Sequence, residues 1–337
     1  MSGAGRRPSA EELAAGILAG NRTLLARAIT TVESRRPEDQ AVALDLLDRI
    51  LPHTGGALRI GVTGAPGVGK SSFIDRFGAH VVASGRRLAV LAIDPSSTLT
   101  GGSILGDKTR MQELAMLPGA FVRPSPSAGT LGGAARNTRE AMLLCEAAGF
   151  DTILIETVGV GQSEAAVADM VDLLALLLLP AGGDDLQGIK RGILERADLL
   201  IINKADGLLE STAKRTARDY AAALHVLPRD AAEPPPVLLA SALEGRGIAE
   251  VWETLLRLRA SRDASGHTEA RRRSQRERWL AESIAAGIDE ALAADPDAHA
   301  ARSEAMRLVT DGLQHPARAA RAVVDTFLRG ARKPERA

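Results

Sequence analysis

The sequence predicts an α/β fold, a mostly parallel sheet wrapped by helices with a helical segment added at each end. Three observations carry this. Short apolar runs alternate with amphipathic helical stretches through the middle of the chain, the pattern of buried parallel strands. A glycine-rich turn closes the first of these runs and opens a helix. The 337 residues leave room for about two domains of roughly 150 residues, or for one α/β domain with helical additions.

Taken in order, residues 9 to 51 read as helices. Leu13 and Ile17, then Leu24, Leu25 and Ile29, then Leu46, Leu47, Ile50 and Leu51 recur at helical spacing between breaks at Asn21, Ser34 and Pro37. They make an N-terminal helical extension, 1–56, closed by a hinge from His53 to Gly56. Strands are expected at Leu58–Val62, Leu88–Ile93, Thr152–Ile155, Leu173–Leu179, Leu199–Ile202 and Val237–Leu239, the last after a Pro-rich linker from Glu233 to Pro236. These strands belong to a central domain, 57–260. From Ser261 strand signals cease and the chain becomes Arg- and Ala-rich, with helical runs at 274–294, 299–313 and 316–329 divided by Asp295-Pro296 and His315-Pro316. This is a C-terminal helical arm, 261–337.

Composition removes several functions. Lys plus Arg and Asp plus Glu both total 42, so no net field draws in a polyanion or an anionic membrane. Aromatics are 2% of residues, too few to stack unpaired bases, and a nucleic-acid partner is not expected. A single cysteine, Cys145, rules out an internal disulfide and suits a reducing compartment; it reads as a small buried hydrophobe. The six histidines never fall at the close spacing of a ligand pair, which argues against an imidazole metal site. The first twenty residues lack the apolar core of a signal peptide, and the most apolar window, Leu173 to Leu179, is too short to span a bilayer. A cytoplasmic location with no membrane contact follows as an expectation. The basic cluster Arg271, Arg272, Arg273, Arg276 and Arg278 reads as a solvated helix face, and Trp252 and Trp279 as packing anchors.

The strongest motif is Gly64-Ala65-Pro66-Gly67-Val68-Gly69-Lys70-Ser71, with Ser72 starting the helix proper. It is a complete G-x-x-x-x-G-K-[ST] between a strand and a helix, the fingerprint of a P-loop nucleoside triphosphatase. The glycines let backbone N–H groups curl round phosphates, Lys70 reaches the β- and γ-phosphates, and the Ser71 hydroxyl ligates Mg²⁺. Asn203-Lys204-Ala205-Asp206 follows the run Leu199–Ile202 and belongs at the carboxyl edge of the sheet. The Asp206 carboxylate can accept from both N1–H and the 2-amino group of guanine, a pattern adenine does not offer. Asn203 ties this loop to the P-loop, and the apolar stem of Lys204 lies over the base. Ser241, Ala242 and Leu243 either bring a backbone N–H to the guanine O6 or form an ordinary strand exit; the sequence leaves both open.

Acids at strand ends supply the metal region. Glu156 opens Glu156-Thr157-Val158-Gly159, where triphosphatases hold Mg²⁺ and sense the γ-phosphate. Val160 stands where Ras-like proteins carry their water-orienting glutamine, so intrinsic hydrolysis should be slow or rely on another group. Asp94, ending the run Leu88–Ile93, is within reach of the Mg²⁺ shell. Three polar, Gly-rich loops, Thr100–Arg110, Ser125–Gly133 and Ala181–Lys190, have the composition either of moving parts or of ordinary solvated loops, and the sequence leaves both open.

Beyond these, Gly102 to Arg110, Arg123-Pro124-Ser125-Pro126, Glu156 to Glu164 and Gly188-Ile189-Lys190 make the chain resemble the MeaB/ArgK family, GTPases that accompany adenosylcobalamin-dependent acyl-CoA mutases such as methylmalonyl-CoA mutase. The resemblance covers roughly residues 55 to 250 with high specificity. It implies a homodimer joined through the C-terminal arm. It also implies a mutase partner whose cobalamin loading, protection or reactivation the GTPase assists, the cobalamin belonging to that partner. It adds Asp107 to Asp94 and Glu156 in the Mg²⁺ region, makes 181–190 a third switch, and offers Asp107 and Lys190 beside Lys70 as catalytic residues. A metal-insertion GTPase and an ATP-dependent protein kinase linked to transport are the alternatives; the lone cysteine and unpaired histidines speak against the first.

Overall fold

The computed structural model describes residues 7–94, 111–126, 131–157, 163–180, 191–225 and 234–331. The chain forms two compact units, Met1–Arg272 and Arg273–Ala337.

In the first unit three helices lead: α1 (Ala10–Leu18), α2 (Arg22–Glu33) and α3 (Pro37–Ile50). Local chemistry starts each. Ser9 and Glu12 form a reciprocal capping box, Asn21 accepts from the N–H groups of Thr23 and Leu24, and Pro37 occupies a first-turn position that needs no N–H. Alternation of strand and helix then follows: β1 (Leu58–Gly64), α4 (Lys70–Ala83), β2 (Leu88–Asp94), α5 (Gln112–Met116), β3 (Ala120–Pro126), α6 (Leu131–Ala147), β4 (Thr152–Thr157), α7 (Ser163–Ala168), β5 (Leu173–Leu178), α8 (Arg191–Arg196), β6 (Leu199–Ile202), α9 (Glu210–Leu224), β7 (Val237–Leu239) and α10 (Ile248–Ala264). The strands form a seven-stranded sheet in the order β3-β2-β4-β1-β5-β6-β7, and every neighbouring pair runs parallel. The mostly parallel α/β architecture expected from the sequence is present.

β1 lies between β4 and β5, with Val62 opposite Glu156 and Gly64 opposite Leu177. β6 lies between β5 and β7, with Ile202 opposite both Leu178 and Leu239. This register brings the carboxyl ends of β1, β4, β6 and β7 to one edge of the sheet, where open α/β sheets bind ligands. Beneath that edge Phe73 stacks on Phe77 at 5.5 Å, Trp252 meets Phe77 edge-on at 5.9 Å, and Ile60, Val62, Leu177 and Ile201 complete the core. Trp252 is thus the packing anchor expected, and Cys145 is fully buried, burial pushing its thiol pKa up.

Three sequence expectations need correcting. Ala120–Pro126 is a strand, although its two prolines hid it; as the sheet's edge it pairs only with β2, and an edge strand tolerates residues that cannot donate to a ladder. The loop expected at Ser125–Gly133 is accordingly narrower, since Ser125 and Pro126 end β3 and Leu131 begins α6. Arg271 and Arg272 are not solvated. Arg272 is buried and donates to both oxygens of Asp172, Nε at 2.8 Å and Nη2 at 2.7 Å, while Arg271 donates to the carbonyls of Ala168 and Val171. Asp172, just before β5, also accepts from Arg259 at 2.6 Å and from the Arg59 N–H at 2.9 Å. A carboxylate this deeply buried requires such partners, and the arginines supply them.

The second helical segment comprises α11 (His267–Ala294), whose sequence crosses the unit boundary, α12 (Pro296–Thr310) and α13 (Pro316–Ala331). Asp295 caps α12 by accepting from the Ala298 N–H at 2.7 Å. Among the described residues no helix is long and apolar enough to cross a membrane.

Candidate active site

All three P-loop glycines, Gly64, Gly67 and Gly69, have positive φ. Gly69, the N-cap of α4, has φ +91°, and a Cβ there would stand 2.8 Å from Asn203 Nδ2. The Val68 N–H turns back to the Ala65 carbonyl at 3.3 Å, and Gly67 also has positive φ. The first N–H groups of α4 therefore open on the loop with no intrahelical partner and carry the positive end of the helix dipole. Lys70 is buried, its Nζ donating to the carbonyls of Gly64 at 2.8 Å and Ala65 at 3.1 Å. Burial lowers its pKa below the ordinary lysine value, and the charges of Glu156 and Glu164 pull it back up.

Glu156, next to last in β4, is buried beside this loop, and the Ser71 hydroxyl donates to its Oε1 at 3.2 Å. Thr157 donates its hydroxyl to Thr63 at 2.8 Å, tying the ends of β4 and β1 together. The Ser71 and Glu156 oxygens are hard donors in adjacent positions and fit Mg²⁺. Among the described residues no cluster of three or more His, Cys, Asp or Glu could hold a metal. Asp94 ends β2 at the same sheet edge, its side chain outside the described residues, as are Asp107, Lys190 and Gly159.

The base-reading candidates converge on the loop from the other side. Asn203 Nδ2 donates to the Val68 carbonyl at 2.9 Å and its Oδ1 accepts from the Ala242 N–H at 3.3 Å. Lys204 has φ +57°, the single positive φ outside glycine among the described residues, and its Nζ donates to the Gly67 carbonyl at 2.8 Å. Ser241 donates its hydroxyl to Asp206 and also accepts from the Glu244 N–H, so it orients the carboxylate. Leu243 projects largely exposed beside them. Segments 64–71, 203–206 and 241–243, far apart in sequence, form one constellation. The sequence carried no signal for the Thr63–Thr157 pair or for Ser241 as the partner of Asp206.

A family model described as methylmalonyl Co-A mutase-associated GTPase MeaB matches residues 25–297. The chain is 52% identical to the GTPase ArgK of Escherichia coli over 77% of its own length and 79% of that protein. It is 46% identical to the mitochondrial methylmalonic aciduria type A homolog of Mus musculus, covering 94% of this chain and 79% of that one. Among solved structures it resembles an LAO/AO transport system kinase with TM-score 0.74 and 39% identity, over 95% of this chain and 97% of the other. These relatives and the fold agree on a GTP-hydrolysing enzyme. The chain belongs to the MeaB family of methylmalonyl-CoA mutase-associated GTPases.

Proposed function

We propose that this GTPase assists an adenosylcobalamin-dependent acyl-CoA mutase of the methylmalonyl-CoA mutase type in loading, protecting or reactivating its cofactor, and acts as a homodimer through its C-terminal helices. The match that runs beyond the nucleotide segments into both flanking helical regions supports the mutase reading. Selection of guanine rests on one observation, the Asp206 carboxylate held by Ser241 in a loop that Asn203 fastens to the P-loop. An ATP-dependent kinase would need a base site that accepts adenine, and an ionised carboxylate offers adenine's edge no complementary donor.

Lys70 binds the β- and γ-phosphates as an ammonium, and the α4 N-terminus and loop N–H groups hold the remaining oxygens. Ser71 and Glu156, with Asp94 and Asp107, hold Mg²⁺, which when bound neutralises charge on the phosphate oxygens. The P-loop and base loops fix the nucleotide so that water attacks the γ-phosphate in line with the leaving oxygen. The family resemblance adds Asp107 and Lys190, which lie outside the described residues, to the catalytic set.

The test is capture from native lysate with the chain loaded with GDP or with a non-hydrolysable GTP analogue, followed by GTP turnover with the purified mutase. Nucleotide-dependent recovery of a B12-dependent mutase and a changed turnover rate are expected. The absence of both effects in both nucleotide states overturns the mutase assignment.

A further inference from the structure

Arg246 lies just outside the base-reading segments, yet its side chain reaches across to them. Its Nη2 donates to the Ala205 carbonyl at 3.2 Å, its Nε donates to Glu244 at 2.7 Å, and its Nη1 lies 3.7 Å from Glu210 at the start of α9. Glu210 is itself held by Lys214 at 2.7 Å. The Arg246 backbone is fixed as well, since its carbonyl accepts from the Ser241 N–H at 3.0 Å. The following residue, Gly247, has φ +74°, and a Cβ there would lie 2.1 Å from the Leu239 carbonyl. The arginine therefore projects from a segment pressed against the end of β7.

We propose that Arg246 is a positioning residue for guanine recognition, aiming Asp206 by holding the peptide group that precedes it. The Ala205 carbonyl and the Asp206 N–H belong to one planar unit. Turning that unit redirects the Asp206 side chain. Ala205 is held on both sides by the same neighbouring loop, its N–H donating to Ala240 at 3.0 Å and its carbonyl accepting from Arg246. The carbonyl bond from Arg246 pins the unit that leads into Asp206, the Ala205 N–H bond pins the unit before it, and Ser241 then sets the carboxylate. Arg246 touches no base; it acts through Ala205. A planar guanidinium is needed because one head must serve a carbonyl and two carboxylates at once, which the point charge of a lysine does not do.

This inference rests on the reading of Asp206 as the guanine acceptor, and the experiment separates the two. Affinities for GTP and ITP are measured on the full chain; inosine lacks the 2-amino group that Asp206 accepts. The wild-type chain is expected to prefer GTP. Arg246→Ala is expected to weaken GTP about tenfold while weakening ITP far less, with the larger effect on KM and the smaller on kcat. Arg246→Lys, which keeps the charge and most of the packing, carries the same test if the alanine variant does not fold, and should show the same loss of discrimination. A GTP-to-ITP ratio unchanged in a folded Arg246 variant, with preference intact in the wild type, overturns the positioning role alone. A wild type that binds ITP as tightly as GTP overturns the base reading and the positioning role with it.

Discussion

The side-chain amide of Asn203 donates to the carbonyl of Val68 at 2.9 Å, across 135 positions of sequence. Its other end accepts from Ala242, so one buried amide joins three loops. Asn203→Ala leaves the Val68 carbonyl and the Ala242 N–H without that partner, each loss costing about 1–3 kcal/mol when buried. Affinity for GDP and GTP should fall roughly 10- to 100-fold. Titration of a fluorescent guanine nucleotide measures it, and undiminished affinity would show that the amide does not organise the site.

Asp206 offers only acceptors while ionised, and an asparagine there offers an amino donor. Asp206→Asn should shift preference from guanine toward xanthine, whose 2-oxo group accepts where guanine's amino group donates. Competition between GTP and XTP checks this. Ser241→Ala, which frees the carboxylate from its hydroxyl, should weaken GTP without favouring XTP.

Burial holds the Lys70 pKa below the ordinary lysine value. The nucleotide binds the ammonium form, so affinity is complete below that lowered pKa and falls as pH rises through it, earlier than for an exposed lysine. Binding should then be accompanied by proton uptake, because a triphosphate favours the charged form. Calorimetry in buffers of different ionisation enthalpy counts the protons. No uptake across the alkaline range would contradict the placement of Lys70 on the phosphates.

Asp172 and its arginines secure the opposite end of the sheet strands, where Arg59 is the second residue of β1 and Leu173 begins β5. Asp172→Ala takes the shared carboxylate from Arg259 and the buried Arg272, leaving them Asp263 and the carbonyls of Gly55 and Ala57, and should cost about 3 kcal/mol. The exposed Arg273→Ala should stay within about 0.5 kcal/mol. Denaturant unfolding distinguishes the two; equal effects would mean that the buried pairs add nothing.

On α11, Leu280, Ile284 and Ile288 lie exposed at intervals of four, one apolar row on a helix. If this row joins two copies, Ile284→Glu should shift sedimentation toward the monomer, and the midpoint of thermal unfolding should lose the concentration dependence of the unsubstituted chain. Unchanged sedimentation would remove this row from the dimer contact.

Legibility divided along physical lines. Gly64–Ser71 and Asn203–Asp206 were readable because each motif is contiguous and dictates its own local geometry: positive φ at Gly69, a loop at a strand end, a donor or acceptor set fixed by residue type. Most strands were readable because burial on both faces of a parallel sheet demands unbroken apolar runs. β3 was not, since Pro124 and Pro126 are permitted only by its place at the edge, and that place is a property of the whole sheet.

The amino-acid sequence by itself thus determined the α/β class and the P-loop motif and supplied Asp206 as the candidate guanine acceptor, all matters of local pattern and side-chain chemistry. Only the tertiary structure decided which distant groups meet. It turned Arg272 from a surface charge into a buried partner of Asp172, set Ser241 on Asp206, and laid Arg246 against Ala205. A charged side chain has the same composition whether solvated or buried. Its role is fixed by the partner that the fold brings within hydrogen-bond reach and by the water that packing removes.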